Sequence, residues 1–171
     1  MRLNPDQKIG ILKQRARVLA RPAHKIEAEG HLQVVVFMLA HEKHALELSH
    51  IREVHPLKDL TPLPGLPDFV LGITNVRGRI LSIVDIGVFF ELPRKGLTNQ
   101  NQVIILESET MEFGILADEI LGTRSIPESA MQPSLPTLTG IRAAYLRGIT
   151  GDRVVVLDGK KLLSDDKMVV Q

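Results

Sequence analysis

A mainly β fold built as two similar lobes is what this sequence predicts, and three observations carry the prediction. Short aliphatic and β-branched runs recur along the chain, bounded by Gly, Pro and Asn clusters, as strands require. Prolines gather between the runs: Pro56, Pro62, Pro64 and Pro67 in one crossing, and the stretch from Pro127 to Pro136 in another. The order of elements is also written twice. Many short strands with Gly/Pro turns argue for small β-barrels or a sandwich, and a duplication argues for two lobes rather than one sheet.

Residues 1–29 stand apart as an N-terminal helical extension. Pro5 and Asp6 suit a helix start, Ile9, Leu12, Ala16 and Leu19 recur at helical spacing, and Pro22 ends the pattern. The opposite face is basic (Lys8, Lys13, Arg15, Arg17, Arg21). Two readings stay open: a helix packed on its own domain or frayed, and a helix that docks on a partner. From Gly30 the character changes. Gln33–Leu39 reads as a strand, His41–His44 as a polar turn, and Ala45–Val54 as a second strand of partial period two that ends near Glu53. The proline crossing forbids helix and central strand alike.

Pro64–Asp85 follows as a Pro/Gly loop and an apolar segment that breaks at Asn75-Val-Arg-Gly78 and resumes over Ile80–Val84, which reads as a hairpin. Asp85 closes it, and Gly87–Leu92 reads as a short helical turn stopped by Pro93. After a polar loop, Gln102–Leu106 is another strand. It superposes on Gln33–Phe37 at an offset of 69 residues (102 − 33), and the same offset puts Gly114-Ile115 on Ala45-Leu46 and Ile120 on Ile51. Gly72-Ile-Thr74 and Asp85 recur as Gly148-Ile-Thr150 and Asp158, and Phe89-Phe90 recurs as Leu162-Leu163. The Gly-to-Asp spacing shrinks from 13 (85 − 72) to 10 (158 − 148), so the second copy has lost three residues at the hairpin tip. The domain is expected over 30–171, with lobes centred on about 31–92 and 100–165.

Composition narrows the function. With 171 residues, 44% of them hydrophobic, the chain can bury a real core. Its 21 basic and 20 acidic side chains give +1, so there is no broad basic field for nucleic acid. Aromatics are 4% with no Trp, which supplies base-stacking platforms poorly. A β-barrel nucleic-acid binder is therefore the weaker alternative, and it would show salt-dependent binding to DNA or RNA. The absence of cysteine excludes disulfides and thiolate metal sites and fits a reducing compartment. No apolar run approaches the roughly 20 residues of a membrane helix, and a cytoplasmic protein is expected.

Catalytic constellations are lacking. His41-Glu-Lys-His44 places histidines three apart, but in a turn and without a carboxylate cluster, so they read as solvated turn residues. Asp85 and Asp158 match each other in the repeat, which favours caps over a triad of acids. The serines sit in no nucleophile elbow. No enzyme, metal or cofactor is expected. What remains is surface, and Arg77 at the hairpin tip is its most informative residue. Were the strand ending near Glu53 paired with the hairpin, Glu53 and Arg77 would bond. An exposed pair of that kind contributes about 0–1 kcal/mol. Positioning for a partner is a fair alternative to stability.

The motif Pro62-x-Pro64-Gly-x-Pro67-x-Phe69-Val-x-Gly72-x-x-Asn75-Val-Arg77-Gly78-x-Ile80-x-x-Ile83-Val-Asp85 resembles the signature of CheW-type chemotaxis adaptor domains. Gly114-Ile-Leu-Ala-Asp118 and Arg147-Gly148-Ile…Val155-Val-Leu157-Asp158…Leu162-Leu163 resemble the same family in the same order. The resemblance spans roughly Gly30 to Asp165. It implies two SH3-like five-stranded barrels around a shared core, and a non-catalytic adaptor without cofactor. The implied partners are the cytoplasmic tip of transmembrane chemoreceptors and the regulatory domain of a CheA-type histidine autokinase. Carried over by position, Ile51, Glu53 and Arg77 would be receptor-side or positioning residues. Asn75 and Gly78 would hold the tip, and Leu106 and Ile115 would line a groove in the second lobe. A related adaptor for a non-flagellar system, with output through pili or otherwise, is the alternative within the class. Two departures stand out: the long segment before Gly30, and the tight second-copy turn Thr150-Gly-Asp-Arg153.

Overall fold

A computed structural model describes residues 30–93, 96–133 and 140–168. The helical extension expected over 1–29 lies outside the described residues, as does part of the second proline crossing. The fold is mainly β, and its elements follow the sequence runs. In the first copy these are β1 (His31–Leu39), β2 (Glu42–Glu47), β3 (Ile51–Pro56), β4 (Val70–Val76), β5 (Arg79–Val84) and a one-turn helix α1 (Ile86–Phe89). The second copy gives β6 (Gln102–Glu107), β7 (Glu112–Ala117), β8 (Glu119–Pro127), α2 (Ile141–Ala144), β9 (Leu146–Ile149), β10 (Val155–Leu157) and α3 (Gly159–Leu162).

Two five-stranded sheets result, in the orders β8-β1-β2-β10-β9 and β3-β6-β7-β5-β4. The two copies do not map onto the two sheets. The first sheet joins β1 and β2 to three strands of the second copy, and the second sheet joins β6 and β7 to three strands of the first. The lobes expected at about 31–92 and 100–165 therefore exchange strands. The run Ala45–Val54, expected as one strand, breaks at a 3₁₀ turn over Leu48–His50. That break sends β2 into one sheet and β3 into the other.

Three apolar clusters explain why the central strands are hydrophobic on both faces. Along β6, Val103 and Ile105 face the second sheet's own core with Val76, Leu81 and Ile83. The alternate residues Ile104 and Leu106 face a core shared by both sheets, with Phe37, Leu46, Phe113, Ile115, Leu157 and Leu162. In β1, Leu32, Val34 and Val36 turn to the first sheet's core with Ala45, Ile126 and Val156, whereas Phe37 and Leu39 turn to the shared one. Each such buried aliphatic or aromatic side chain contributes about 1.5–3 kcal/mol.

The repeated residues do repeated work. Asp85 accepts a hydrogen bond from the Val88 amide and Asp158 from the Lys161 amide, each capping its one-turn helix as the sequence implied. Gly72-Ile73-Thr74 and Gly148-Ile149-Thr150 each receive a proline crossing: Thr61 bridges Ile73, and Gln132 bridges Ile149. A Cβ on Gly72 would lie 2.2 Å from the Thr61 carbonyl oxygen, so only glycine admits the first crossing.

His44 is a correction. It belongs to β2 and not to a solvated turn; it is fully buried and stacks on Phe37 with ring centroids 6.0 Å apart. Burial pulls its pKa down to about 4, opposed in part by the Glu42 carbonyl and carboxylate. Its Nε2 has no hydrogen-bond partner among the described residues. No group of three His, Asp or Glu among them is placed to hold a metal.

Candidate functional site

The β4–β5 hairpin pairs Val76 with Arg79, leaving Arg77-Gly78 as a two-residue loop. Both loop residues have positive φ, +53° and +82°. That is the turn geometry that matches strand twist, and Gly or Asn usually supplies it. An arginine at the first position costs of order 1 kcal/mol. The Gly78 amide donates to Asn75 Oδ1 at 2.9 Å, which locks the tip. Asn75 and Gly78 are thus bonded across the tip that carries Arg77, whose side chain is 78% exposed.

Arg77 Nη2 lies 3.3 Å from Glu53 Oε2. The expected pair is present, but its strands are not neighbours: β3 and β4 are the two edges of the second sheet. The sheet curls far enough to bring one edge to the tip of the other. A shallow groove of about 390 Å³ lies there, lined by Arg52, Glu53, Val76, Arg77, Arg79 and Glu107. Ile80, next along β5, is 69% exposed, and Val54 on β3 is also exposed. Ile51 is half-buried and packs its side chain against the shared core.

Leu106 and Ile115 do not line this groove. Both are 0% exposed and sit in the shared core, so they offer no surface to a partner. An apolar residue on a doubly covered strand has the same sequence pattern as one lining a groove. In their place the structure brings charged residues that sequence reasoning did not assemble. Arg52 Nη1 meets Glu112 Oε1, Arg79 Nη1 lies 3.2 Å from Glu112 Oε2, and Arg79 also approaches Glu107 at 3.7 Å. Glu107 and Glu112 come from the second copy, opposite each other across β6–β7. Arg79 beside Gly78 was the one legible signal of this cluster.

The second copy builds a counterpart on the other sheet. Arg124 of β8 holds Asp152, at the β9–β10 turn, through two bonds of 2.7 and 3.0 Å. Arg124 and the Thr150 hydroxyl hold the Asp152 carboxyl well below the usual carboxylate range. Between the sheets, Tyr145 packs edge-on to Phe89 at 5.3 Å, and its hydroxyl donates to Asp165. Desolvation, then that bond, push the Tyr145 phenol up to about 12.

Nothing in the groove pairs a nucleophile with a base. The groove presents an exposed guanidinium on a tight turn, held by Glu53 and flanked by the exposed Ile80 and Val54. No helix among the described residues is long and apolar enough to cross a membrane.

Known proteins resemble this chain over most of its length. "Chemotaxis protein CheW" of Klebsiella aerogenes is 27% identical over 141 residues, covering 81% of this chain and 85% of the relative. "Protein PilI" of Pseudomonas aeruginosa is 29% identical over 147 residues, covering 85% of this chain and 82% of its own. Among solved structures, the scaffolding protein TtCheW from Thermoanaerobacter tengcongensis superposes with a TM-score of 0.66 at 29% identity, covering 74% of this chain and 83% of that one. The family model for the CheW-like domain matches residues 33–167, which run from β1 through α3 and include both hairpin tips. With two strand-exchanged sheets, a shared core and this match across the described fold, the chain belongs to the CheW-like domain family.

Proposed function

We propose that this chain is a cytoplasmic, non-catalytic adaptor that couples the helical tip of transmembrane chemoreceptors to the regulatory domain of a CheA-type histidine autokinase. Family membership and the likeness to the scaffolding protein TtCheW support the class. The observation that carries the reading is Arg77, held over Glu53 on a turn whose backbone disfavours arginine. Ile51, Glu53 and Arg77 form the receptor-side surface, and Asn75 and Gly78 preorganise it. Adaptor action here is binding: holding kinase beside receptor and biasing its conformation.

The test is titration of the protein with a soluble receptor-tip fragment and, separately, with a kinase regulatory domain. Micromolar-range affinity for both is expected, and recovery of neither would sink the reading. Arg77→Ala should weaken receptor binding while the thermal midpoint stays nearly unchanged, because an exposed pair contributes about 0–1 kcal/mol. A large loss of stability would instead make Arg77 structural.

A second reading, an adaptor serving a non-flagellar output such as pili, draws on the PilI relative, which is as similar as the CheW relative. Restoration of pilus-dependent but not flagellar behaviour in adaptor-deficient cells would select it.

A further inference from the structure

The ion pairs around the first tip share partners. Arg52 is the extra residue of the β3 bulge, between Ile51 opposite Leu106 and Glu53 opposite Ile105. A bulge re-aims side chains, and here Arg52 Nη2 donates to Glu53 Oε1 at 3.2 Å. Glu53 is therefore claimed twice, by Arg52 through one oxygen and by Arg77 through the other at 3.3 Å. Arg52 and Glu112 are largely shielded, whereas Arg77 stands in solvent. Arg79 lies between Glu112 and Glu107 and offsets the repulsion of two acids placed opposite each other.

We propose that Glu112, supplied by the second copy, is a positioning residue for Arg77. By holding Arg52 it leaves one oxygen of Glu53 to the tip. The proposal rests on the reading above, in which Arg77 meets the receptor. Removal of the Glu112 charge leaves Arg52 with Glu53 as its one acid among the described residues. A shielded guanidinium on the same strand then wins that carboxylate from a solvated one, because its attraction is less screened. Arg77 loses its anchor although neither Arg77 nor Glu53 has changed.

The experiment measures affinity for a soluble chemoreceptor-tip fragment and the Arg77 Nε–Hε signal in ¹⁵N spectra, with thermal midpoints for every variant. Glu112→Gln should bind about three- to fivefold more weakly, with the Arg77 signal shifted toward that of a free arginine. Adding Arg52→Gln removes the competitor and should return the Arg77 signal to its parent position, which a merely structural role would not do. In an Arg77→Ala background, Glu112→Gln should have no further effect. An unmoved Arg77 signal in Glu112→Gln, or no recovery with Arg52→Gln, overturns the proposal. Arg77→Ala binding as tightly as the parent protein overturns the receptor reading instead, and the Arg77 signal still decides the positioning. Should Glu112→Gln fail to fold, Glu112→Asp provides the same comparison with the charge drawn back by one methylene.

Discussion

Arg77 on the β4–β5 tip reaches Glu53 on edge strand β3, and Asp152 on the β9–β10 tip is held by Arg124 on edge strand β8. Each sheet thus ties a hairpin tip to its far edge, with the charges reversed. The first tip presents a cation over an acid; the second presents an acid over a cation. Both sheets carry such a tie, and its sign differs between them. The arginine at the first tip is therefore free to be specified by something other than folding. It also sits at φ +53°, where its backbone gains nothing from being arginine. The comparison separates what the architecture needs twice from what this surface carries once.

The largest test concerns the crossings beneath the tips. Gly72 has φ +146° and a backbone oxygen 2.2 Å from its missing Cβ, while Gly148 would meet the Met131 Cβ at 3.0 Å. Gly72→Ala should cost about 3 kcal/mol or more, and Gly148→Ala about 1–2 kcal/mol, read from urea midpoints. Equal losses would mean that the two crossings are built alike after all.

Next is the buried histidine. His44 occupies the repeat position that Phe113 fills in the second copy (113 − 44 = 69). Its folded pKa, about 4, lies below its ordinary 6.5, so the unfolded chain binds the extra proton first as pH falls. Its contribution to stability is fully present above about pH 6.5 and shrinks as pH falls towards 4, by about 3 kcal/mol in all. Glu42 and Arg142 are the charged groups facing it. His44→Phe should remove that part of the acid slope while leaving stability at pH 8 within about 1.5 kcal/mol. Denaturation curves at pH 4.5 and 7.5 measure the difference; an unchanged slope would show that carboxylates alone set acid stability.

The smallest effects should be the most alike. Asp85→Ala and Asp158→Ala each remove a helix cap of the same geometry and should each cost about 1 kcal/mol. A gap of more than about 1 kcal/mol between them would break the equivalence of the copies at that point.

Local features were legible in the sequence. The hairpin, the caps at Asp85 and Asp158 and the two crossings each rest on residues near in sequence, whose turn chemistry is specific. Pairing was not legible, because alternation shows that a strand has two faces without naming its neighbour. Hence β1 beside β8 and β3 beside β6 join strands that sequence reasoning assigned to separate lobes. Leu106 and Ile115 were carried to a groove wall by positional resemblance, whereas burial from both sides puts them in the shared core. The gap in pairing also hid Glu107 and Glu112, which reach the first tip only because the second copy's strands lie in that sheet. The tip itself was found, since Asn-x-Arg-Gly marks its own geometry.

The strand exchange has a consequence for proteolysis. A cut in the polar loop between β5–α1 and β6 would sever the chain between the two copies, yet each sheet holds strands from both fragments. The nicked protein should stay associated through β1–β8 and β3–β6 pairing and run as one species until denatured. Neither fragment alone owns a complete sheet, so the domain behaves as an interlocked clasp whose two pieces hold shape only together.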